Sequence, residues 1–477
     1  MADDKVASAA DSAADEIGAR RPGGRWSPAV GACLAIIAGA VAGLALAPIT
    51  TSWLRAQAAG PVAGAIRADL AAVPDDPVAR FYRARDDRPL WVAGRRLRPE
   101  AAALIAALDG VGSDDLTPAT YRPQALAADL RAAKDGQPAN LARADIDLSR
   151  AFAAYDVDLH RPPPGGRPAF VDPAIAMPPA SVDQALADAA RARSLSAALR
   201  AASQVNPIYA ALRDALAAAR ARQDIDPREV AELRINLERA RALPPDLGRR
   251  YILVNPASQT LRLYEGGQIV EAMRVVVGRP IPIDQTPTMI GLMREAVLDP
   301  YWYVPPDLAR ESVAPKVLAQ GPAALAADKL EVLSDWSPAA TPVPSWTVDW
   351  QAVADGRATV RLRQDAGPAN MMGEVKYVFP NPLGVYLHDT PAKYLFDQTS
   401  RADSHGCVRL ANAAELGQRL FGRLLTADPA LGAEQRVDLA TPIPVYILYL
   451  TAEPDPGGVS YLPDVYRRDP QLLAALR

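Results

Sequence analysis

The chain is poor in the residues that most often carry chemistry. Its 477 residues include three histidines and two cysteines. Cys33 lies in an apolar segment and Cys407 far away in a polar one, which excludes a disulfide framework. Charge of one sign is lacking as well. The 52 Lys and Arg nearly balance 55 Asp and Glu, for a formal net charge of −3. No basic field of the kind that binds nucleic acid is present, so nucleic acid is not an expected partner. Hydrophobic residues at 49% and charged residues at 22% are ordinary for a globular chain. The length calls for two or three domains.

Long hydrophobic runs are scarce too. The one of membrane-spanning length covers 29–47, without a charge and preceded by Arg20, Arg21 and Arg25. The basic flank predicts a cytoplasmic tail at 1–28 and an anchor at 29–48. The rest would then lie in the periplasm, giving a single-pass inner-membrane protein. Ala45-Leu46-Ala47 has the small-x-small pattern of a cleaved signal peptide, but Pro48 directly after it argues for retention. Cys33 opens the apolar run where a lipid-bearing cysteine would close it.

Beyond a stalk at 49–77, the Ala- and Leu-rich stretches 100–108, 181–202 and 207–222 read as helical, as do 141–159 and the Arg- and Glu-rich 229–243. Pro162-Pro163-Pro164-Gly165-Gly166 breaks the series. Residues 78–243 therefore read as a mainly helical domain. The pattern changes at Arg250. Tyr251-Ile252-Leu253-Val254 and Thr260-Leu261-Arg262-Leu263-Tyr264 are β-like. Glu265-Gly266-Gly267-Gln268 has hairpin chemistry. A mostly β domain is expected over 250–450, with strands near 359–363, 374–379, 385–387 and 442–450. A long insertion at about 298–371 interrupts it in the manner of a lid. A tail follows at 451–477. The expected class is multidomain α+β with an N-terminal transmembrane helix.

Two of the three histidines fall in one dense stretch, Tyr386-Leu387-His388-Asp389 and Ser404-His405-Gly406-Cys407-Val408-Arg409. Cysteine nucleophiles need a base and amide donors for the oxyanion. Histidine accepts the thiol proton. Glycine lets the backbone approach a carbonyl. Arginine holds a carboxylate in a forked pair. A buried structural cysteine and a zinc site with Asp389 and Asp403 as further ligands are the rival readings. For His160, a satisfied structural histidine is the better one.

His388, fifteen residues, then Ser404-His405-Gly406-Cys407 resembles the signature of the L,D-transpeptidase family of peptidoglycan enzymes. Phe379-Pro380-Asn381-Pro382, Arg274-Val275-Val276-Val277-Gly278, Gln285-Thr286-Pro287, Pro300-Tyr301-Trp302-Tyr303 and Asn255 are similar to its large membrane-anchored Gram-negative branch. So are Asn236-Leu237-Glu238-Arg239 and the Arg85…Pro89-Leu90-Trp91 region, which resembles that branch's scaffold domain. The small wall-binding module of that branch is missing between 78–243 and 250–450.

The resemblance implies that Cys407 is the nucleophile, His388 its base and the Asp389 carbonyl the group that orients His388. His405 would shape the pocket, and the Gly406 and Cys407 amides would bind the oxyanion. Arg409, Ser404, Tyr386, Trp302 and Tyr303 are the expected substrate contacts, although Trp302 and Tyr303 could equally be packing of the lid. The implied partners are a donor tetrapeptide stem, an acceptor amine, the inner membrane and other wall-synthesis proteins. No metal or organic cofactor is needed. Water or a free D-amino acid as acceptor would give carboxypeptidase or exchange activity. A non-catalytic wall-associated scaffold and a cysteine peptidase on proteins are the alternatives.

Overall fold

The computed structural model describes residues 60–163 and 167–476. The expected tail at 1–28 and anchor at 29–48 lie outside the described residues. Among the described residues no helix is long and apolar enough to cross a membrane. The expected placement as a single-pass inner-membrane protein is corrected to this extent: none of the described helices supplies a membrane span. The longest helix, Pro138–His160, carries Arg143, Asp145, Asp147, Arg150, Asp156 and Asp158 along its length, a composition that hydrocarbon rejects.

The N-terminal half is helical, and its boundaries follow from capping. Asn206 and Asp226 accept the amides of Tyr209 and Arg228, each with proline in the following position. The stretch 181–202 forms two helices, Val182–Arg191 and Leu195–Ser203, because Ser181 and Ser194 each cap a helix start. Fully buried Asp145 accepts the amides of Leu90 and Trp91 at 2.9 and 2.7 Å. Tyr82 also donates its hydroxyl to Asp145, and Trp91 Nε1 donates to Ser149 at 3.0 Å. The Phe81-to-Trp91 segment is thereby pinned to the long helix.

The C-terminal half is a closed ring of strands. Val375–Val378, Leu387–His388, Val408–Leu410, Gln268–Gly278, Thr260–Glu265, Arg250–Asn255, Gln435–Ile447 and Met289–Leu298 pair in that order. Met289–Leu298 pairs again with Val375–Val378 and completes the circuit. Side chains alternate across it. Ile252, Val254, Val275, Val277, Leu387 and Val408 fill the interior. Tyr251, Leu253, Ile290 and Tyr446 face outward into one hydrophobic core shared with Leu212, Leu216, Leu233 and Leu237 of the helical half. Burial on both faces explains why Tyr251–Val254 lacks a polar alternation. Asn236 seals the join: its side chain donates to Thr451 Oγ1 and accepts the Thr451 amide, both at 2.8 Å.

The insertion between Met289–Leu298 and Val375–Val378 has its own four-stranded sheet, ordered Pro342–Val343, Leu330–Leu333, Arg361–Gln364, Trp302–Val304. Val304, Val332, Trp350 and Leu362 form a separate core. The strand expected near 359–363 is Arg361–Gln364 and belongs to this sheet, not to the ring. Residues after 450 fold back as a hairpin, Ala452–Asp455 with Gly458–Tyr461, and a helix, Asp469–Ala475.

Candidate active site

Cys407 sits in a tight loop between Ala402–Ser404 and Val408–Leu410. Gly406 has φ +103°, a left-handed conformation that favours glycine. Ser404 closes the loop on itself. Its hydroxyl donates to the Cys407 carbonyl at 2.6 Å and accepts the Gly406 amide at 3.2 Å. Thr286 Oγ1 donates to the Gly406 carbonyl at 3.0 Å and accepts the Gly278 amide at 2.8 Å. Behind it, Tyr466 donates its hydroxyl to the Gly278 carbonyl at 2.7 Å and accepts the Thr286 amide at 3.3 Å.

Strand register brings in the histidine. Leu387–His388 pairs in parallel with Val408–Leu410, with His388 opposite Arg409. The Val408 amide donates to the Tyr386 carbonyl at 3.0 Å. Leu387 and Val408 point into the ring. By alternation Tyr386, His388, Cys407 and Arg409 share the outer face. His388 and Cys407 are diagonal neighbours on adjacent strands, roughly 7–8 Å apart at the backbone by sheet geometry. Lys376 is the register partner of His388 on the other side and pairs with Glu434 at 2.9 Å.

His388 Nδ1 lies 2.5 Å from the Asp389 carbonyl. That acceptor fixes the proton on Nδ1 and leaves Nε2 as the basic nitrogen. Asp389 is itself held: its carboxylate accepts from Lys393 Nζ at 2.5 Å and from the Glu374 amide at 3.0 Å. The thiol donates to the Gly384 carbonyl at 3.5 Å. Among the described residues no hydrogen bond joins it to the imidazole.

Burial dominates the protonation of both groups. It lowers His388 to about 4, with the Arg409 cation adding to the effect. It pushes the Cys407 thiol up, against a backbone hydrogen bond from Tyr386 and the charge of Arg409. The pair rests as thiol and neutral imidazole. Arg409 is depressed by burial, opposed by Asp403. Among the described residues it makes no ion pair.

Other expected residues fall elsewhere. Ser404 is buried and its hydroxyl is spent within the loop, so it braces the turn that carries Cys407. The Gly406 amide is spent on Ser404, which leaves the Cys407 amide as the backbone donor at the sulfur. His405 Nδ1 contacts Asp284 Oδ1 at 2.9 Å, and Asp284 is also held by Arg279 at 2.7 Å. Trp302 packs on the core of the insertion. Tyr303 lies on the opposite face of that sheet beneath Arg361, 5.1 Å from its ring centre. Thr286, Tyr466, Arg279 and Asp284 carry no motif of their own. Thr286 alone had a signal, the Gln-Thr-Pro segment.

One group among the described residues has metal-ligand chemistry. A carboxylate oxygen from each of Asp284 and Asp307 and a ring nitrogen of His405 lie within 4.8 Å of one another. Arg279 Nη2 already stands 3.0 Å from His405 Nδ1, so a cation of the chain fills that side.

Residues 249–437 match the L,D-transpeptidase catalytic domain, and residues 76–216 match the Scaffold domain. A Haemophilus influenzae protein named "Putative L,D-transpeptidase" is 31% identical over 248 residues, which are 50% of this chain and 48% of that protein. The chain thus spans about half the length of the curated relative it matches. The catalytic match contains the whole Cys407–His388–Arg409 face, and the scaffold match covers most of the helical half. The chain thus carries an L,D-transpeptidase catalytic domain at 249–437, with a Scaffold domain set before it at 76–216.

Proposed function

We propose that the protein is an acyltransferase that cross-links peptidoglycan stem peptides through a thioester on Cys407. The observation that carries this reading is the shared outer face: a cysteine on a braced loop, a neutral histidine oriented by a carbonyl, and an unpaired arginine. The donor is a tetrapeptide stem ending in D-Ala. Cys407 Sγ attacks the carbonyl on the L-centre of the third residue, and its proton passes to His388 Nε2. The Cys407 amide donates to the oxyanion. His388 returns the proton to the departing D-Ala nitrogen, which breaks the C–N bond and leaves the thioester. The side-chain amine of a second stem then attacks. His388 takes its proton, the C–S bond breaks and the thiol is restored.

Arg409 binds the carboxylate of the terminal D-Ala and sets the scissile carbonyl over the sulfur. Since both catalytic groups rest neutral, proton transfer accompanies attack in place of preceding it. Asp389 contributes through its carbonyl, a triad whose third member is main chain. Water or a free D-amino acid at the second step would give the hydrolysis or exchange product. The test is intact-mass analysis after mixing with a stem tetrapeptide. The expected adduct is the donor stem less D-Ala, absent from C407A. An adduct that persists in C407A would sink the assignment.

A further inference from the structure

His388 is flanked by a cation on each side. On the outer face of the ring, Val297, Lys376, His388 and Arg409 are successive register partners across four strands. Val375 and Tyr377 point into the ring, which turns Lys376 outward beside His388. Strand spacing puts Lys376 and Arg409 each about 5 Å from His388 at the backbone, on opposite sides. Lys376 is enclosed, with 13% of its side chain exposed, and donates to Glu434 at 2.9 Å. Among the described residues Glu434 is its one side-chain partner, so two of its three ammonium hydrogens are unspent. The backbone of Glu434 is left-handed at φ +60°, which is uncommon for glutamate. Its amide donates to the Asp299 carbonyl at 3.0 Å, and the Asp299 amide donates to the Glu374 carbonyl at 3.0 Å, two residues before Lys376. The loop of Glu434 is thereby tied to the strand of Lys376. The pair also stands near the sulfur. The Tyr386 phenol, pushed up by burial, is raised further by the charges of Cys407 and Glu434.

Resting on the function above, we infer that Lys376 binds a carboxylate of the acceptor, on the same carbon as the attacking amine, and that Glu434 is the positioning residue that holds Lys376. The donor's terminal carboxylate lies on Arg409, one strand to one side of His388. An acceptor carboxylate on Lys376, one strand to the other side, sets the amine within reach of His388 Nε2, because amine and carboxylate share one carbon. His388 takes the amine proton and a C–N bond forms at the thioester carbonyl. The C–S bond breaks, and the proton returns to the sulfur. Lys376 keeps Glu434 on one hydrogen while the others take the carboxylate. The preferred acceptor is therefore an amine with a carboxylate on the same carbon, over a plain primary amine.

The test uses the full chain, a soluble tetrapeptide donor and two acceptors, D-methionine and D-methioninamide, which differ at the carboxylate alone. Acyl transfer to each is read by mass. K376Q should lower the preference for D-methionine over its amide by about tenfold, the loss of one charge-assisted contact. K376M should do the same, and K376R should keep most of the preference. E434Q retains the cation but frees it. Its half-saturating D-methionine concentration should rise several-fold with the limiting rate kept. A preference unchanged in K376Q and K376M overturns the acceptor site, as does an equal fall with both acceptors, which marks a general effect on His388. Tetrapeptide acylation that falls as far as transfer to D-methionine assigns Lys376 to the donor and overturns it too. Wild-type half-saturation in E434Q overturns the positioning role. Wild-type protein that forms no acyl-enzyme at all would overturn the underlying function instead, so the failures are distinct.

Discussion

Replacing Thr286 by valine should disable the nucleophile from behind. Thr286 has no exposed surface. Its hydroxyl serves two buried backbone groups, the Gly278 amide at 2.8 Å and the Gly406 carbonyl at 3.0 Å. Valine has nearly the same shape, so packing is preserved and only the hydrogen bonds are lost. Each buried group left unpaired costs about 1–3 kcal/mol, which places the total loss of stability near 2–6 kcal/mol. Freed from Thr286, the Gly406 carbonyl no longer holds the φ +103° turn that presents Cys407. The acylation rate should fall by about 10- to 100-fold, the scale of a misplacement of about 1 Å. T286S keeps the hydroxyl and should retain most of the rate. Urea unfolding gives the stability, and single-turnover intact-mass kinetics gives the rate. Wild-type acylation by T286V together with a stability loss under about 0.5 kcal/mol would refute the bracing role.

Two further predictions follow from the neutral resting pair. The rate of Cys407 alkylation by iodoacetamide should rise only at alkaline pH, above the range of an ordinary thiol, because burial disfavours the thiolate. A reactive plateau below pH 7 would mean a pre-formed thiolate–imidazolium pair and defeat that account. His388 titrates near 4 when folded and near 6.5 when unfolded. Between these values the unfolded chain binds more protons, so stability falls as pH drops from about 6.5 to 4. The loss is about 3 kcal/mol for this buried ring. H388N should lose that much less over the same interval, measured by denaturant unfolding at each pH, and equal slopes would count against it.

Much of the site was legible because its residues are local in sequence. Ser404 to Arg409 form one loop and strand, and the hydrophobic run around Val275 marks the strand against which they pair. The helical half was legible from its Ala and Leu spacing, although Ser194 divides a stretch that this spacing runs together. What the sequence concealed depends on closure of the ring. Thr286 and Tyr466 meet behind Gly406 although 180 residues separate them. A lone tyrosine in a Pro- and Gly-rich tail gives no sign of such a role. The hydrogen bonds of Ser404 were concealed for a different reason. A serine beside a nucleophile reads as a substrate contact, and only the φ of Gly406 turns its hydroxyl back onto the loop.

The same loop chemistry decides which amide can face the oxyanion. A left-handed glycine lets Ser404 bond forward to the Cys407 carbonyl and to the Gly406 amide at once. The Gly406 amide is thereby removed from the substrate side, while the Gly406 carbonyl is tied to Thr286. The peptide between Gly406 and Cys407 is held at its carbonyl end and donates at its amide end. Fixing that one peptide plane aims the Cys407 amide and its own side chain together, so in the proposed mechanism oxyanion donor and nucleophile share a single backbone hinge. A site of this kind needs no charged partner to hold its cysteine ready. That agrees with a histidine kept neutral by burial and with an arginine that has no ion pair among the described residues.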